Sequence, residues 1–167
     1  SAAWNRLLGQ LDRLPHALLV HGPQGVGKLH LAERFAQLLL CESATRGSTP
    51  CASCDGCRWF LAGNHPDMRF VEPETMARQT ATEEENEGAD RQRRKPSSEI
   101  KIEQIRALAD FLYIGSHRGG RRIVIVQPAE AMNSHSANAL LKSLEEPPAG
   151  AIFLLVTHRP SHLLPTI

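Results

Sequence analysis

The sequence predicts an α/β fold with a mainly parallel sheet flanked by helices. Apolar runs of strand length alternate with apolar stripes at helical spacing, a pattern typical of a parallel sheet with helical crossovers. One run, at residues 123–126, contains only Ile and Val, as expected of a strand covered on both faces. A glycine-rich loop stands between the first predicted strand and the helix that follows it.

The composition fits one globular domain. The chain has 167 residues, and domains usually hold ~100–200 residues. Hydrophobic residues make up 41% of the chain, which excludes disorder of the whole chain. The net charge is +1, so no overall field favours nucleic acid or an anionic membrane. No apolar run approaches the ~20 residues of a membrane span. The chain starts with Ser rather than Met, and we expect that its natural start is missing.

The first forty residues predict a helix, a strand and a second helix. Trp4 and leucines three, four and seven positions later predict a short amphipathic helix that extends to Leu11 and is closed by Pro15. Residues 17–20 predict a short buried strand. The loop HGPQGVGK follows, and apolar residues at helical spacing predict a helix over 29–40.

The middle of the chain is the least regular part. A cysteine-bearing excursion over 41–57 leads into a short predicted helix at 58–62 and a second predicted strand at 68–71. Residues 73–99 contain no Val, Ile, Leu or aromatic side chain, and a glutamate block there gives way to a basic block. Such a stretch cannot offset its ordering entropy by burial, so we predict a polar inserted loop. Its charges are either simply solvated or contact a partner or DNA.

Two more pairs of a helix and a strand complete the alternation. Apolar stripes at positions 105, 108, 109 and 112 and at positions 137, 140, 141 and 144 predict the two helices, and the strands are predicted over 123–126 and 152–156. Glycines at 115, 119 and 120 end the first helix. Ser134 is the predicted N-cap of the second, which Pro147 and Pro148 stop.

The segment GPQGVGKL at residues 22–29 fits the pattern G-x-x-x-x-G-K, with a strand before it and a helix after it. In this pattern backbone N–H groups surround a phosphate at the helix N-terminus, and the lysine adds a positive charge. The residues therefore predict a P-loop, and the candidate phosphate- or nucleotide-binding residues are Gly22, Gly25, Val26, Gly27 and Lys28.

The groups that hydrolysis needs are missing. Leu29 stands where a Ser or Thr hydroxyl would bind Mg²⁺. Gln127 and Pro128 follow the central strand where an acidic pair would hold the metal and activate water, and Glu130 is a displaced substitute at best. No catalytic residue is predicted. Three interpretations stay open: a fold element without chemistry, phosphate or nucleotide binding without hydrolysis, and active hydrolysis.

All four cysteines lie within 17 residues, at Cys41, Cys51, Cys54 and Cys57. Four thiolates close a tetrahedral structural zinc shell with no open position for a substrate. We therefore predict structural zinc, with free or disulfide-linked thiols, or an iron–sulfur cluster, as the alternatives. His65 would be a fifth ligand and is predicted to be a structural residue in the turn before Pro66.

Several segments coincide with one family. The glycine loop, the run CASCDGC followed by LAGNHPD, the helix ANALLKSLEEPPAG and the strand FLLVT resemble the AAA+ domains of bacterial DNA polymerase III clamp-loader subunits. The gamma/tau subunits of that family keep the hydroxyl after the loop lysine and the Asp-Glu pair. This chain lacks all three groups, so it resembles the family member that sits in the ring without hydrolysing ATP.

The resemblance implies a function and partners. The chain would be a non-catalytic part of the DNA polymerase holoenzyme, helping to load the sliding clamp onto primed DNA beside gamma/tau-like and delta-like subunits. It would act at the replisome in the bacterial cytoplasm, away from any membrane, with structural zinc and without ATP–Mg²⁺ hydrolysis. The alternatives are an active gamma/tau-like ATPase and a zinc-ribbon module that binds nucleic acid.

The resemblance also implies an architecture. Residues 1–167 would form a single AAA+ P-loop domain, with a zinc module at about 41–57 on its outside. The family's sheet order is 5-1-4-3-2, and its arginine-finger motif, fifth strand and further domains would follow residue 167, so we expect an N-terminal fragment. Thr157 matches the position where active relatives sense nucleotide, and packing is its expected role here.

Overall fold

A computed structural model of the chain describes residues 1–43, 47–77, 95–114 and 120–163. Within these ranges the helices are α1 (Ala2–Leu8), α2 (Lys28–Leu40), α3 (Asp55–Leu61), α4 (Ile102–Tyr113) and α5 (Ser134–Glu145). The strands are β1 (Ala17–His21), β2 (Met68–Val71), β3 (Arg122–Val126) and β4 (Ala151–Thr157). The predicted strands and the predicted order of elements are confirmed.

The four strands form one parallel sheet in the order β1-β4-β3-β2. Every residue of β3 and β4 is buried, which agrees with the β-branched and apolar sequences of these strands. β1 lies at one edge of the sheet, and the order matches the one that the family resemblance implies for these four strands. Because all strands run in the same direction, their carboxyl ends lie together at one end of the sheet, beside the loop that follows β1.

Alternating side chains of the central strands build two cores. Ile123 and Ile125 face α2, where Phe35 is fully buried. Val124 and Val126 face α4 and α5, with Leu140 fully buried there. Helices therefore cover both faces of the sheet. Among the described residues, no helix has the length and apolar character that crossing a membrane requires.

Three element boundaries differ from the sequence prediction. α1 ends at Leu8, and Leu11 belongs to a separate 3₁₀ turn. α3 begins at Asp55 rather than at 58, because the sulfur of Cys54 accepts a hydrogen bond from the Cys57 N–H and caps the helix. The N-cap of α5 is Asn133, not Ser134, since the Asn133 carboxamide oxygen accepts from the Ser136 N–H at 2.9 Å.

The polar loop predicted over 73–99 lies only partly within the described residues, and its two ends contact each other. Residues 78–94, which carry most of its charges, lie outside the described residues, as do 115–119 with two of the glycines predicted to end α4. Pro73 is fully buried. The Thr75 N–H donates to the Ser97 carbonyl at 3.1 Å, and Glu74 accepts from the Ser97 N–H and from Lys101. These contacts join the two ends of the insertion, and we call this part of the structure the neck.

Replacing residues 78–94 by a short Gly/Ser linker is expected to change the melting temperature by less than about 2 °C, because the contacts at the neck stay and loop length has only a weak entropic effect. Differential scanning calorimetry measures the change. The matched control removes the neck contact instead, as Glu74→Gln in the complete chain. A loss of many degrees on deletion would show that 78–94 packs on the domain.

Candidate functional site

The glycine loop connects β1 to α2, and its backbone requires glycine. Gly22, Gly25 and Gly27 have φ angles of 148°, 85° and 80°, which residues with a β-carbon rarely adopt. Gly27 is also the N-cap of α2, so α2 starts at Lys28. The five predicted binding residues, including the exposed Val26, thus lie together in one turn at the N-terminus of a 13-residue helix. This is the place where backbone N–H groups and the helix dipole favour an anion.

The lysine of the loop is held by the loop itself. Lys28 is only 6% exposed, and its ammonium group donates to the Pro23 carbonyl at 2.5 Å. A β-carbon on Gly22 would lie 3.6 Å from the Lys28 side chain, so the lysine stem packs across the start of the turn. An anion in the loop would compete with this carbonyl for the lysine.

Leu29 serves the core rather than the loop. Its side chain is partly buried and packs against the cluster that includes Phe35 and Ile125. A leucine also has no atom that could bind Mg²⁺. The position after the lysine therefore contributes to packing.

At the carboxyl end of the strands, Gln127 is buried and hydrogen-bonded to Glu72. Its amide donates to a carboxylate oxygen of Glu72 at 3.4 Å, and its backbone N–H donates to the Val71 carbonyl at 3.0 Å. Sequence reasoning missed Glu72, which is 8% exposed and directly follows β2. Its position as the first polar residue after a buried strand is the pattern that could have indicated it.

Glu130 stabilises the end of β4. Its carboxylate accepts from the His158 N–H at 3.0 Å. Burial on its own would raise the pKa of Glu130, but hydrogen bonds from the Thr157 hydroxyl and from backbone N–H groups hold that pKa below its usual value. Thr157 is fully buried, and its hydroxyl oxygen also accepts from the Arg159 N–H. Both residues thus hold the turn after β4, and this supports a packing role for Thr157.

The four cysteines come together at the other end of α2, roughly 20 Å from the glycine loop along 13 residues at ~1.5 Å each. Their four sulfur atoms lie within 4.8 Å of one another. The Cys51 and Cys57 sulfurs are 3.9 Å apart, and those of Cys41 and Cys54 are 4.0 Å apart. Four sulfurs at ~2.3 Å from a zinc ion form a tetrahedron with edges of about 3.8 Å. The donor set and its spacing therefore fit zinc.

Backbone N–H groups point at the sulfurs. Cys54 accepts from the N–H groups of Glu42 and Cys57, and Cys51 accepts from that of Cys54, each at 3.4 Å. Such donors stabilise thiolates, the form in which cysteine binds a metal. Hydrogen bonds from Ser53 lower the pKa of Cys51 to about 5, whereas burial raises the pKa of Cys57 to about 12. The buried Cys57 thiol would therefore need a nearby cation to become a thiolate at neutral pH.

Two residues near the cysteines have structural roles, and the first, Gly56, lets α3 approach α2 closely. A β-carbon on Gly56 would lie 2.4 Å from the Leu40 carbonyl oxygen, so only glycine fits there. His65 is buried, accepts from the Asp67 N–H at 3.0 Å through Nδ1 and meets the Trp59 ring edge-on. These contacts support the structural role predicted for His65.

Comparison with families and curated proteins gives consistent matches. A family model described as DNA polymerase III, delta subunit, matches residues 3–167. The DNA polymerase III subunit delta' of Pseudomonas aeruginosa is 41% identical over 166 residues, which are 99% of this chain and 44% of that protein. Subunit delta' of Escherichia coli K12 is 32% identical, over 95% of this chain and 41% of that protein. The chain thus spans less than half of the length of these delta' relatives.

Matches extend beyond delta' proteins. The DNA polymerase III subunit tau of Salmonella typhimurium is 34% identical over 94% of this chain and 21% of that protein. The crystal structure of a gamma subunit-related protein from Thermotoga maritima superposes with a TM-score of 0.59 over 98% of this chain and 42% of that one. Its sequence identity is 22%, so this likeness shows the fold alone.

Proposed function

This chain belongs to the DNA polymerase III delta' subunit family, and on that premise we propose that it is a non-catalytic AAA+ module of the bacterial clamp loader. It helps to load the sliding clamp onto primed DNA, and it contributes shape and contacts rather than ATP hydrolysis. Its partners are gamma/tau-like and delta-like subunits, and it reaches DNA through the assembled complex. Its place is the replisome in the cytoplasm.

One observation carries the non-catalytic part of this proposal. The three positions where hydrolysis needs a hydroxyl and two carboxylates hold Leu29, Gln127 and Pro128. In the fold, Leu29 packs into the core and the Gln127 amide is bound to Glu72. Phosphoryl transfer depends on Mg²⁺ and on an oriented water, and neither residue supplies a group for them. The degenerate P-loop at residues 22–28 could then bind a phosphate group but would not support hydrolysis. We call it the phosphate cradle.

We also propose that Cys41, Cys51, Cys54 and Cys57 hold one structural zinc ion in a module at about 41–57. Support comes from the four sulfurs at tetrahedral spacing and from the N–H groups directed at them. Four cysteine ligands fill the coordination shell, so the ion would supply no catalysis. Its contribution would be to fix the segment between α2 and α3. This module, the glycine loop and the sheet would together form a single AAA+ P-loop domain.

The rival with some support is an active gamma/tau-like ATPase, since a tau subunit is among the relatives. No observation favours a zinc-ribbon module that binds nucleic acid. The net charge of +1 leaves little excess charge for phosphate neutralisation. The ATPase rival therefore defines the decisive experiment.

We expect no Mg²⁺-dependent ATP hydrolysis above background, alone or in the full-length protein. Loss of one catalytic group typically costs ~10²–10⁴-fold in rate, and three are replaced here, so Leu29→Thr by itself should not restore turnover. A phosphate-release assay with a gamma/tau subunit as positive control measures this. In the reconstituted complex, Lys28→Ala should have only a small effect on clamp loading. Turnover that vanishes in Lys28→Ala would establish the active ATPase instead.

A further inference from the structure

We propose that metal binding at the four-cysteine cluster fixes α1 against the domain through Trp4. This inference rests on the zinc site proposed above, but it concerns a helix that lies far from the cysteines in sequence. Zinc would then have a second effect, on the groove beside the glycine loop, in addition to holding its own loop.

The helix α1 has little to hold it in place. It has seven residues, and none of them is buried. A helix of this length is not stable by itself in water, where isolated helices shorter than ~12–15 residues are marginal. Its position therefore depends on a few side chains, of which Trp4, Leu7 and Leu8 pack at the margin of the core.

Trp4 makes the contacts that link α1 to the rest of the domain. Its ring meets the buried Phe35 edge-on, with centroids 6.2 Å apart, and the Arg34 guanidinium lies 5.9 Å from its centroid. Both partners are on α2. The indole N–H points elsewhere and donates to the Ser48 carbonyl at 3.0 Å, across 44 residues of sequence.

Ser48 lies in the loop that the metal would close. The loop leaves the end of α2 at Cys41 and reaches Cys51 three residues after Ser48. Cys51 is exposed, and its sulfur accepts from the Cys54 N–H and from Ser53 and lies beside the Cys57 sulfur. An ion bound by both Cys51 and Cys41 would close this loop and restrict where residues near Cys51 can lie. The Ser48 carbonyl is then held where the Trp4 indole can reach it.

The consequence reaches the glycine loop. A groove of about 950 Å³ runs between α1, the edge strand β1 and the start of α2. Its lining includes Trp4, Lys28, Arg34 and Thr49. Thr49 belongs to the metal-binding loop and Lys28 to the phosphate cradle, so both border the groove. Loss of the metal would release Thr49 and α1 together and open this groove.

Hydrogen exchange by mass spectrometry tests the coupling on the complete reduced chain, loaded with zinc or stripped by a chelator, with the metal content measured on each sample. Stripping should speed the exchange of residues 2–8 by about five- to tenfold, the change expected for loss of one ordinary hydrogen bond. The exchange of β4 should stay unchanged. Trp4→Phe keeps the ring contact with Phe35 but removes the indole donor, so its α1 should exchange fast with or without zinc.

Trp59→Phe is the matched control and gives a second measurement. Only two tryptophans are present, so this variant leaves Trp4 as the single tryptophan, and its emission, excited at a wavelength that tyrosine does not absorb, should shift to longer wavelength when zinc is removed. Zinc-bound protein whose α1 exchange does not respond to stripping would overturn the coupling but leave the zinc site intact. Equal acceleration in β4 would also overturn it, because the effect would then be global. Protein that takes up no zinc would overturn both proposals.

Discussion

Replacing Cys57 with serine is expected to abolish tight zinc binding and, through the lost zinc alone, to lower the free energy of unfolding by about 4 kcal/mol in buffer whose free zinc is about 1,000 times the dissociation constant of the wild-type site. A ligand that binds only the folded chain stabilises it by this amount, and the variant loses the whole contribution. Cys57 is the most sensitive of the four positions because its side chain is fully buried within α3. A hydroxyl there is a poor zinc ligand. Urea unfolding with and without zinc measures the difference.

Two comparisons make the Cys57→Ser experiment specific. Wild-type protein stripped of zinc should show most of the same loss, because it lacks the same ion, whereas Thr49→Ser in the same loop should keep the wild-type zinc response. The variant should differ from stripped protein only by the cost of a buried hydroxyl without a full set of partners, about 1–3 kcal/mol. If the free energy of unfolding of the wild-type chain is the same with and without zinc, the prediction is wrong.

Replacing Arg122 with methionine is expected to lower the free energy of unfolding by about 3–5 kcal/mol, the usual cost of removing one partner of a buried ion pair. The Arg122 Nε lies 3.6 Å from an Asp67 carboxylate oxygen, and the two side chains are only 5% and 4% exposed. The variant removes this cation from a buried carboxylate and also removes the guanidinium that lies 4.6 Å from the centre of the Phe111 ring. Chemical denaturation measures the loss.

Two further variants separate the charge from the packing. Arg69 also lies over the Phe111 ring, at 4.5 Å, but it is exposed, so Arg69→Met should cost less than about 1 kcal/mol. Adding Asp67→Asn to Arg122→Met should recover most of the loss, since removing both charges of a buried pair is often nearly neutral. A double variant as unstable as Arg122→Met alone would assign the loss to packing.

The sequence by itself determined the fold class and the set of candidate residues. Apolar runs and helical stripes are local, so the four strands, α2, α4 and α5 follow from residues a few positions apart. The glycines of the loop and the C-x₂-C steps are also local, because backbone conformation and ligand spacing act within one turn. For the same reason the absence of a hydroxyl at 29 and of carboxylates at 127 and 128 is visible in the sequence.

Only the tertiary structure decided what these residues touch. The amide of Gln127 binds Glu72 from 55 positions away, and the Trp4 indole reaches Ser48 across 44 positions. Arg122 is a charged residue at the start of a strand, and nothing near it in sequence indicates that Asp67 pairs with it in the core. Such contacts arise where parallel strands bring distant segments side by side, and burial favours the pairing of the polar groups that meet there. No local periodicity encodes that choice.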